Sequence, residues 1–108
     1  MEAFINNACS ELKDAEYFIK ILRQHLPELR DKYSVIYLGI FGSYIRGEQT
    51  KDSDLDILVQ FDKKPGLFKY IELEDYLSDL LGVKVDLVMK SALKPNIGRR
   101  ILNEVVAL

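Results

Sequence analysis

Two aspartates separated by a single residue, Asp54 and Asp56, are the side chains in this sequence best suited to chemistry. Successive side chains of a β-strand point to opposite faces, so a strand here presents both carboxylates on one face and turns Leu55 and Ile57 toward the core. Two adjacent carboxylates repel each other, and a bound divalent cation is the usual way to offset that repulsion. Because oxygen ligands suit Mg²⁺ bound together with substrate phosphates, the pair predicts a magnesium and nucleotide site.

Two further features belong to the same predicted site. Gly42 follows an apolar run and allows a ligand to approach the backbone, and Ser43 adds a hydroxyl group at the start of a short helix. Together they are suited to hold terminal phosphates. Asp86 lies in a later apolar run and shares a strand face with Lys84 and Val88. As a third carboxylate it could bind a second metal ion and accept the proton of an attacking hydroxyl group.

Helical and extended patterns alternate along the chain and predict the elements that position these residues. Apolar residues recur at steps of three and four over residues 10–30 and 67–81, which is typical of amphipathic helices. Ser10 is a suitable N-cap for the first helix, and Pro27 should kink or end it, with a separate short turn over 28–32. The other predicted elements are helices over 44–47 and 97–103 and strands over 35–41, 54–61, 83–89 and 105–108.

This order of elements predicts an α+β fold of alternating α/β units, with helices packed on one sheet. The strand over 35–41 is apolar throughout, so we expect it to be covered on both sides. A length of 108 residues fits a single domain over 1–108. The relative direction of the strands cannot be read from these patterns.

Composition excludes several classes of function. The chain has 15 lysines and arginines against 17 aspartates and glutamates, a formal net charge of −2, which argues against binding of duplex nucleic acid. Cys9 is the only cysteine, so an intrachain disulfide and a cysteine-rich metal site are excluded. No apolar run approaches the ~20 residues of a membrane span, and the N-terminus lacks the pattern of a secretion signal. We therefore expect a cytoplasmic protein with no membrane partner.

The spacing of the site residues resembles that of a known superfamily. Gly42-Ser43, ten intervening residues and then Asp-x-Asp at Asp54 and Asp56 match the signature of the DNA polymerase beta nucleotidyltransferases. The flanking residues 41–48 and 52–59, and the ending over 100–106, resemble the minimal nucleotidyltransferases of that superfamily. The resemblance covers nearly the whole chain and implies the nucleotidyltransferase fold, a mixed β-sheet with helices packed on it.

The resemblance also implies a role for each site residue. Asp54 and Asp56 would bind two Mg²⁺ ions, and Asp86 would complete the site and activate the acceptor. Gly42 and Ser43 would hold the triphosphate of ATP, and one further residue, Arg46, would assist them. All three acidic positions of the family are filled in this sequence, so the resemblance implies an active enzyme.

By resemblance, the reaction is the transfer of AMP from ATP to a hydroxyl group of a partner protein. Minimal nucleotidyltransferases are typically paired with a HEPN toxin and act as its antitoxin by modifying a toxin tyrosine. Two alternatives stay open: an antitoxin that neutralises its partner by binding alone, and nucleotidyl transfer to a small molecule such as an aminoglycoside. The preferred base, the number of AMP units transferred and a possible homo-oligomer are also open.

Simpler interpretations of single residues remain. Asp54 could cap a strand, Asp56 could face solvent, and Asp86 could pair with Lys84. Arg46 could be a solvated helix residue. Four basic residues form either an ordinary solvated face or an attraction for an acidic partner: Lys90, Lys94, Arg99 and Arg100.

Overall fold

The structure is a computed structural model that describes residues 14–108. Cys9 and the predicted N-cap Ser10 lie outside the described residues, and the carboxylate of Asp14 caps the first helix by accepting a hydrogen bond from the Tyr17 N–H at 3.0 Å. Among residues 14–108, no helix is both long enough and apolar enough to cross a membrane. The elements, in chain order, are α1 (Ala15–Tyr33), β1 (Val35–Phe41), α2 (Ser43–Arg46), β2 (Leu55–Phe61), α3 (Leu67–Leu81), β3 (Val85–Met89), a 3₁₀ turn (Lys90–Ala92), α4 (Pro95–Glu104) and β4 (Val106–Ala107).

Helix α1 runs past Pro27 without a break. The predicted end of the helix near this proline, and the separate turn over 28–32, are therefore wrong. Leu22 and Leu29 lie on either side of Pro27 and are both fully buried. Because both halves of the helix pack into the core, this burial offsets the hydrogen bond that proline cannot donate.

The sheet is mixed, with the strand order β3-β2-β1-β4. β1 is antiparallel to both of its neighbours, whereas β2 and β3 are parallel. The register pairs Phe41 with Asp56, and Asp56 in turn with Asp86. The end of β1 and the beginnings of β2 and β3 therefore meet at one end of the sheet, which is where the predicted site residues lie.

Alternation along the strands divides the sheet into two faces. On one, which we call the core face, Leu55, Ile57 and Leu87 pack with the buried side chains of α1 and α3 and are at most 5% exposed. The prediction that Leu55 and Ile57 turn to the core is confirmed. The opposite face carries Asp56 and Asp86, and we call it the site face.

The expected cover on both sides of β1 holds for most of the strand but fails at its beginning. Leu38, Ile40 and Phe41 are buried, whereas Ile36 keeps 53% of its surface exposed. The short strand β4 pairs only with Gly39 and Ile40 of β1. The register of β1 against β2 shifts between Val35 and Tyr37, and Ile36 lies at this shift, so the cover is lost at Ile36 while Val35 beside it is 1% exposed.

Helix α3 closes the outer edge of β3. The N–H groups of Val85 and Leu87 donate to Ser78 Oγ and Glu74 Oε2, both at 3.0 Å, and the Tyr70 hydroxyl donates to the Leu87 carbonyl at 2.5 Å. Tyr70, Glu74 and Ser78 are four residues apart, so they form one stripe of the helix. These contacts occupy backbone groups that an edge strand otherwise leaves free, and they hold β3 beside β2.

Candidate active site

Gly42 lies directly against Asp56 at the end of β1. Its backbone angles, φ 83° and ψ −153°, belong to a region that only glycine adopts readily. A Cβ atom at this position would overlap Oδ2 of Asp56. The group that lies against the backbone at Gly42 is thus the carboxylate of Asp56, and the approach of a phosphate to this glycine stays a prediction.

The carboxylate of Asp56 is the electrostatic centre of the site. Partial burial, followed by the negative charges of Asp86 and Asp54, raises the pKa of Asp56 from 3.8 to about 6. Arg46 acts in the opposite direction and lowers this pKa, but it does not cancel the increase. The three predicted aspartates therefore interact through their charges, and a cation among them would relieve the repulsion.

Asp54 is half-buried just before β2, rather than inside the strand as predicted. The loop that leads to it is folded on itself, because the Thr50 N–H donates to Ser53 Oγ at 2.8 Å and the Ser53 N–H donates to the Thr50 carbonyl at 3.2 Å. Burial, and then the charge of Asp54, raises the pKa of Tyr44. The loop thus holds Asp54 near the beginning of α2.

The acidic side chains suit a cation but do not form a finished cage. In the described part of the chain, no three histidine, cysteine, aspartate or glutamate side chains are arranged to hold a metal ion. Mg²⁺ commonly binds through one or two carboxylates together with substrate phosphates and water, so it does not require such a cage. The oxygen donors of Asp54, Asp56 and Asp86 fit this mode of binding.

Ser43 and Arg46 offer hydrogen-bond donors beside these carboxylates. Among residues 14–108, neither the N–H nor the hydroxyl group of Ser43 has a hydrogen-bond acceptor. Arg46 donates through Nε to Glu48 at 3.0 Å and through Nη1 to Glu104, whereas Nη2 has no acceptor in the described chain. These free donors are suited to the oxygens of a phosphate group.

Glu104 is the residue of this site that sequence reasoning missed. Its Oε2 accepts the Gly42 N–H at 2.6 Å, and its two oxygens accept Arg46 Nη1 at 3.0 and 3.1 Å. The amide of Gly42, predicted to hold phosphate, is therefore already bound to a carboxylate. Gly42 and Glu104 are 62 positions apart in the chain, and only the packing of α4 beside the end of β1 brings them together.

Helix α4 forms one wall of a cavity at this site. The cavity has a volume of about 220 Å³, and its lining includes Gly42, Arg46, Asp56, Ile97, Arg100 and Glu104. Ile97 is 58% exposed at this wall. The sequence predicted a helix here, but no sequence pattern indicated that it faces the carboxylates of the candidate site.

The four basic residues of undecided role lie on two sides of α4. Arg100 lines the site cavity, whereas Lys90, Lys94 and Arg99 line a second cavity of about 510 Å³ together with apolar residues such as Leu93. Lys90 also lies over the Tyr37 ring, with 4.4 Å between Nζ and the ring centroid. The same helix therefore borders both the acidic site and a basic surface.

Comparisons of sequence place this chain among proteins of related chemistry. The family model of the nucleotidyltransferase domain matches residues 22–108. A relative from Thermococcus cleftensis, the protein adenylyltransferase MntA, is 57% identical over 86 residues, which cover 80% of this chain and 87% of the relative.

Comparisons of structure agree with those of sequence. A solved minimal nucleotidyltransferase superimposes with a TM-score of 0.73 at 34% identity, over 89% of this chain and 97% of the other. A toxin–antitoxin structure with AMP-PNP gives a TM-score of 0.66 at 26% identity, over 79% of this chain and 69% of the other. The mixed sheet and its helices are thus shared with proteins of this type.

Proposed function

This chain belongs to the nucleotidyltransferase domain family, and from that premise we propose that it transfers AMP from ATP to a hydroxyl group of a partner protein. The observation that carries the proposal is the strand register, which brings Asp56 and Asp86 side by side next to Gly42. Carboxylates that flank a set of free phosphate-binding donors fit a displacement at phosphorus, in which positioning and charge do most of the catalysis.

The reaction is a substitution at the α-phosphate. A bond forms between the acceptor oxygen and the α-phosphorus, the bond from that phosphorus to the bridging oxygen breaks, and pyrophosphate leaves. The hydroxyl proton passes to Asp86, whose exposed position on β3 lets an incoming side chain reach it. Ser43 and Arg46 hold the triphosphate through the donors that the protein leaves free.

Asp54, Asp56 and Asp86 are the residues that would hold Mg²⁺, and we propose two ions. When bound, such ions supply positive charge that offsets the charges of the carboxylates and the phosphates. The raised pKa of Asp56 supports this assignment, because both of its causes, burial first and then the charges of Asp86 and Asp54, disfavour an uncompensated carboxylate that a cation would stabilise.

We propose that the acceptor is a tyrosine of a HEPN toxin and that this chain acts as the antitoxin. Two findings support the choice of a protein acceptor: the relative from Thermococcus cleftensis is a protein adenylyltransferase, and a structural neighbour is a toxin–antitoxin pair with AMP-PNP. We further propose that residues 1–108 form one domain and that it acts in the cytoplasm.

The basic surface behind α4 is the proposed docking site for that partner. Residues 87–103 contain four basic residues and no acidic ones, although the whole chain has a net charge of −2. Lys94 and Arg99 line the second cavity, so an acidic partner seated there would lie next to the site cavity on the other side of the helix. Charges arranged in this way increase the association rate more than they increase the affinity.

Labelled ATP provides the direct test. The protein, Mg²⁺ and the co-expressed toxin are incubated with ATP labelled at either the α- or the γ-phosphate. The α-label is expected on the toxin and the γ-label in released pyrophosphate, and Asp86→Asn is expected to abolish both. A γ-label on the toxin would instead indicate a kinase.

Two further arms separate the alternative functions. Toxin that is neutralised but carries no label would indicate an antitoxin that acts by binding alone. Equal labelling of free tyrosine, or labelling of an aminoglycoside, would favour a small-molecule transferase. For docking, reversal of Lys94 and Arg99 to glutamate is expected to slow association most at low salt, whereas the same change at the exposed pair Lys63 and Lys64 is expected to have little effect.

A further inference from the structure

Glu104 connects α4 to the turn that follows β1. Its carboxylate accepts one hydrogen bond from the Gly42 N–H at 2.6 Å and two from Arg46 Nη1 at 3.0 and 3.1 Å. Only 24% of the side chain is exposed. The carboxylate thus lies between a backbone group and a guanidinium group that both border the site cavity.

The stability of α4 does not explain a glutamate at this position. Glu104 is the last residue of the helix, where the helix dipole presents its negative end and disfavours a carboxylate. The residue also adds a negative charge beside Asp56, whose pKa it helps to raise. Its favourable contacts are instead with the turn at Gly42 and with Arg46. We therefore attribute the glutamate at this position to these contacts and not to the stability of α4.

The contact with Glu104 is the sheltered one of the two that Arg46 makes. Glu48, which accepts the Nε–H, keeps 64% of its side chain exposed, and exposed ion pairs contribute little. A guanidinium group is planar, so a partly buried carboxylate that binds Nη1 restricts the direction of the whole fork. Within residues 14–108, Nη2 has no acceptor and remains available to a ligand.

We propose that Glu104 is a positioning residue: its carboxylate, anchored by the Gly42 N–H, holds Arg46 in place before the triphosphate binds. The inference rests on the proposed function, because it concerns the same nucleotide site. A long side chain that is fixed in advance does not lose its freedom on binding, so affinity rises without any contact between Glu104 and the nucleotide. Glu104 therefore acts on substrate binding through Arg46.

The test compares Glu104→Gln with Glu48→Gln. Each variant removes one negative charge from a partner of the same guanidinium group, but only Glu104 also binds the Gly42 amide. We expect Glu104→Gln to raise the KM for ATP about three- to tenfold with kcat within about twofold of the wild type. Glu48→Gln is expected to change neither value by more than about twofold.

A double-variant cycle examines whether the effect passes through Arg46. Arg46→Ala alone is expected to raise the KM for ATP, and Glu104→Gln added to it is expected to cause no further rise. The affinity for a non-hydrolysable ATP analogue, measured by calorimetry, should follow the same pattern, and the unfolding temperatures identify any variant that is merely unfolded. These readouts respond to positioning and not to a general loss of fold.

Four results would overturn the inference. Tighter binding of the ATP analogue to Glu104→Gln would mean that the carboxylate competes with the triphosphate. Additive effects of the two substitutions would mean that Glu104 acts independently of Arg46, and an equal effect of Glu48→Gln would remove the distinction between sheltered and exposed partners. If no toxin is labelled but the affinity for the ATP analogue still shows coupling between Glu104 and Arg46, the proposed function fails and the inference stands. If the toxin is labelled but Glu104→Gln leaves the KM for ATP unchanged, the proposed function stands and the inference fails.

Discussion

The core face and the site face of the sheet are formed by the same strands but follow different physical rules. On the core face, Leu55, Ile57 and Leu87 are apolar and almost fully buried. On the site face, residues one position away, Asp56 and Asp86, are charged and only partly covered. Burial stabilises the first face, whereas mutual repulsion of carboxylates destabilises the second. The buried apolar surface of the core face offsets the unfavourable repulsion on the site face.

The two faces also differ in what a change of side chain can do. A core residue affects the free energy of unfolding first, because each one contributes buried apolar surface. A carboxylate on the site face has a proposed role in ligand binding and proton transfer, and its removal relieves a repulsion. Substitutions at neighbouring positions of one strand should therefore separate stability from activity.

The largest expected effect is the loss of transfer when a site-face carboxylate is neutralised. Asp86→Asn should lower the rate of AMP transfer roughly 10²–10⁴-fold, because it removes the proposed proton acceptor. Asp54→Ala and Asp56→Ala should also abolish transfer, since each removes a proposed ligand of Mg²⁺. The unfolding temperature without metal should hold or rise in all three. Rates near the wild-type value in both Asp54→Ala and Asp56→Ala would contradict the two-metal assignment.

The second effect is on the core face, one residue away. Ile57→Ala should lower the free energy of unfolding by about 2–5 kcal/mol, because the side chain is fully buried against α1 and α3. Below its unfolding temperature, the variant should still transfer AMP. Denaturant titration gives the first value, and the transfer rate per folded molecule gives the second. An Ile57→Ala variant that is stable but inactive would abolish the separation between the faces.

Much of the core face could be predicted from the sequence, because local patterns determine it. The alternation of acidic and apolar residues over 54–57 predicted which side chains are buried, and the periodicity over Leu67–Leu81 predicted α3 with its correct ends. The predicted end of α1 near Pro27 was wrong, because the helix-breaking tendency of proline does not take into account the buried residues on both sides of Pro27. Tertiary packing decides that case.

The site face was predictable only where its residues form a pattern along the chain. The sequence pattern of Gly-Ser, ten residues and then Asp-x-Asp indicated four of the candidate residues: Gly42, Ser43, Asp54 and Asp56. Glu104 lies within the ending over 100–106 that resembles the family, but that resemblance assigned it no role, because a glutamate in a helix usually faces solvent and its partners lie far away in the chain. Its position at the end of α4 where the helix dipole disfavours a carboxylate is a second local sign that it serves another purpose.

A smaller effect is expected from substitution of two glycines, Gly42 beside Asp56 and Gly47 away from it. Gly42→Ala should weaken binding of the ATP analogue and cost roughly 1–3 kcal/mol of stability, because its backbone angles disfavour a side chain and a Cβ would meet Asp56. Gly42→Val should weaken binding further. Gly47→Ala is the matched control: its φ is also positive, 72°, but nothing lies within 4 Å of a Cβ there. It should cost about 1–2 kcal/mol and leave the analogue's affinity unchanged. Equal affinities of all three variants would count against a nucleotide at Gly42.

The smallest effect is a dependence of stability on pH that arises from Asp56. Below the unfolded pKa of 3.8 the carboxyl group is protonated in both states. Between 3.8 and about 6 the unfolded chain loses this proton while the folded protein keeps it, so the free energy of unfolding should fall as the pH rises through this range. Above about 6 both states are ionised and the contribution of Asp56 is constant.

Asp56→Asn provides the control for this pH dependence. Urea titrations of the metal-free protein at several pH values should show a decline for the wild type that is weaker in Asp56→Asn, because the amide does not titrate. The matching core variant, Ile57→Val, should lower the free energy of unfolding by about 0.5–1.5 kcal/mol and keep the wild-type slope. Added Mg²⁺ should stabilise the wild type more as the pH rises past about 6, since the ion binds the ionised carboxylate. Identical pH slopes in the wild type and Asp56→Asn would show that the burial of the Asp56 carboxylate and its repulsion by Asp86 and Asp54 do not oppose folding.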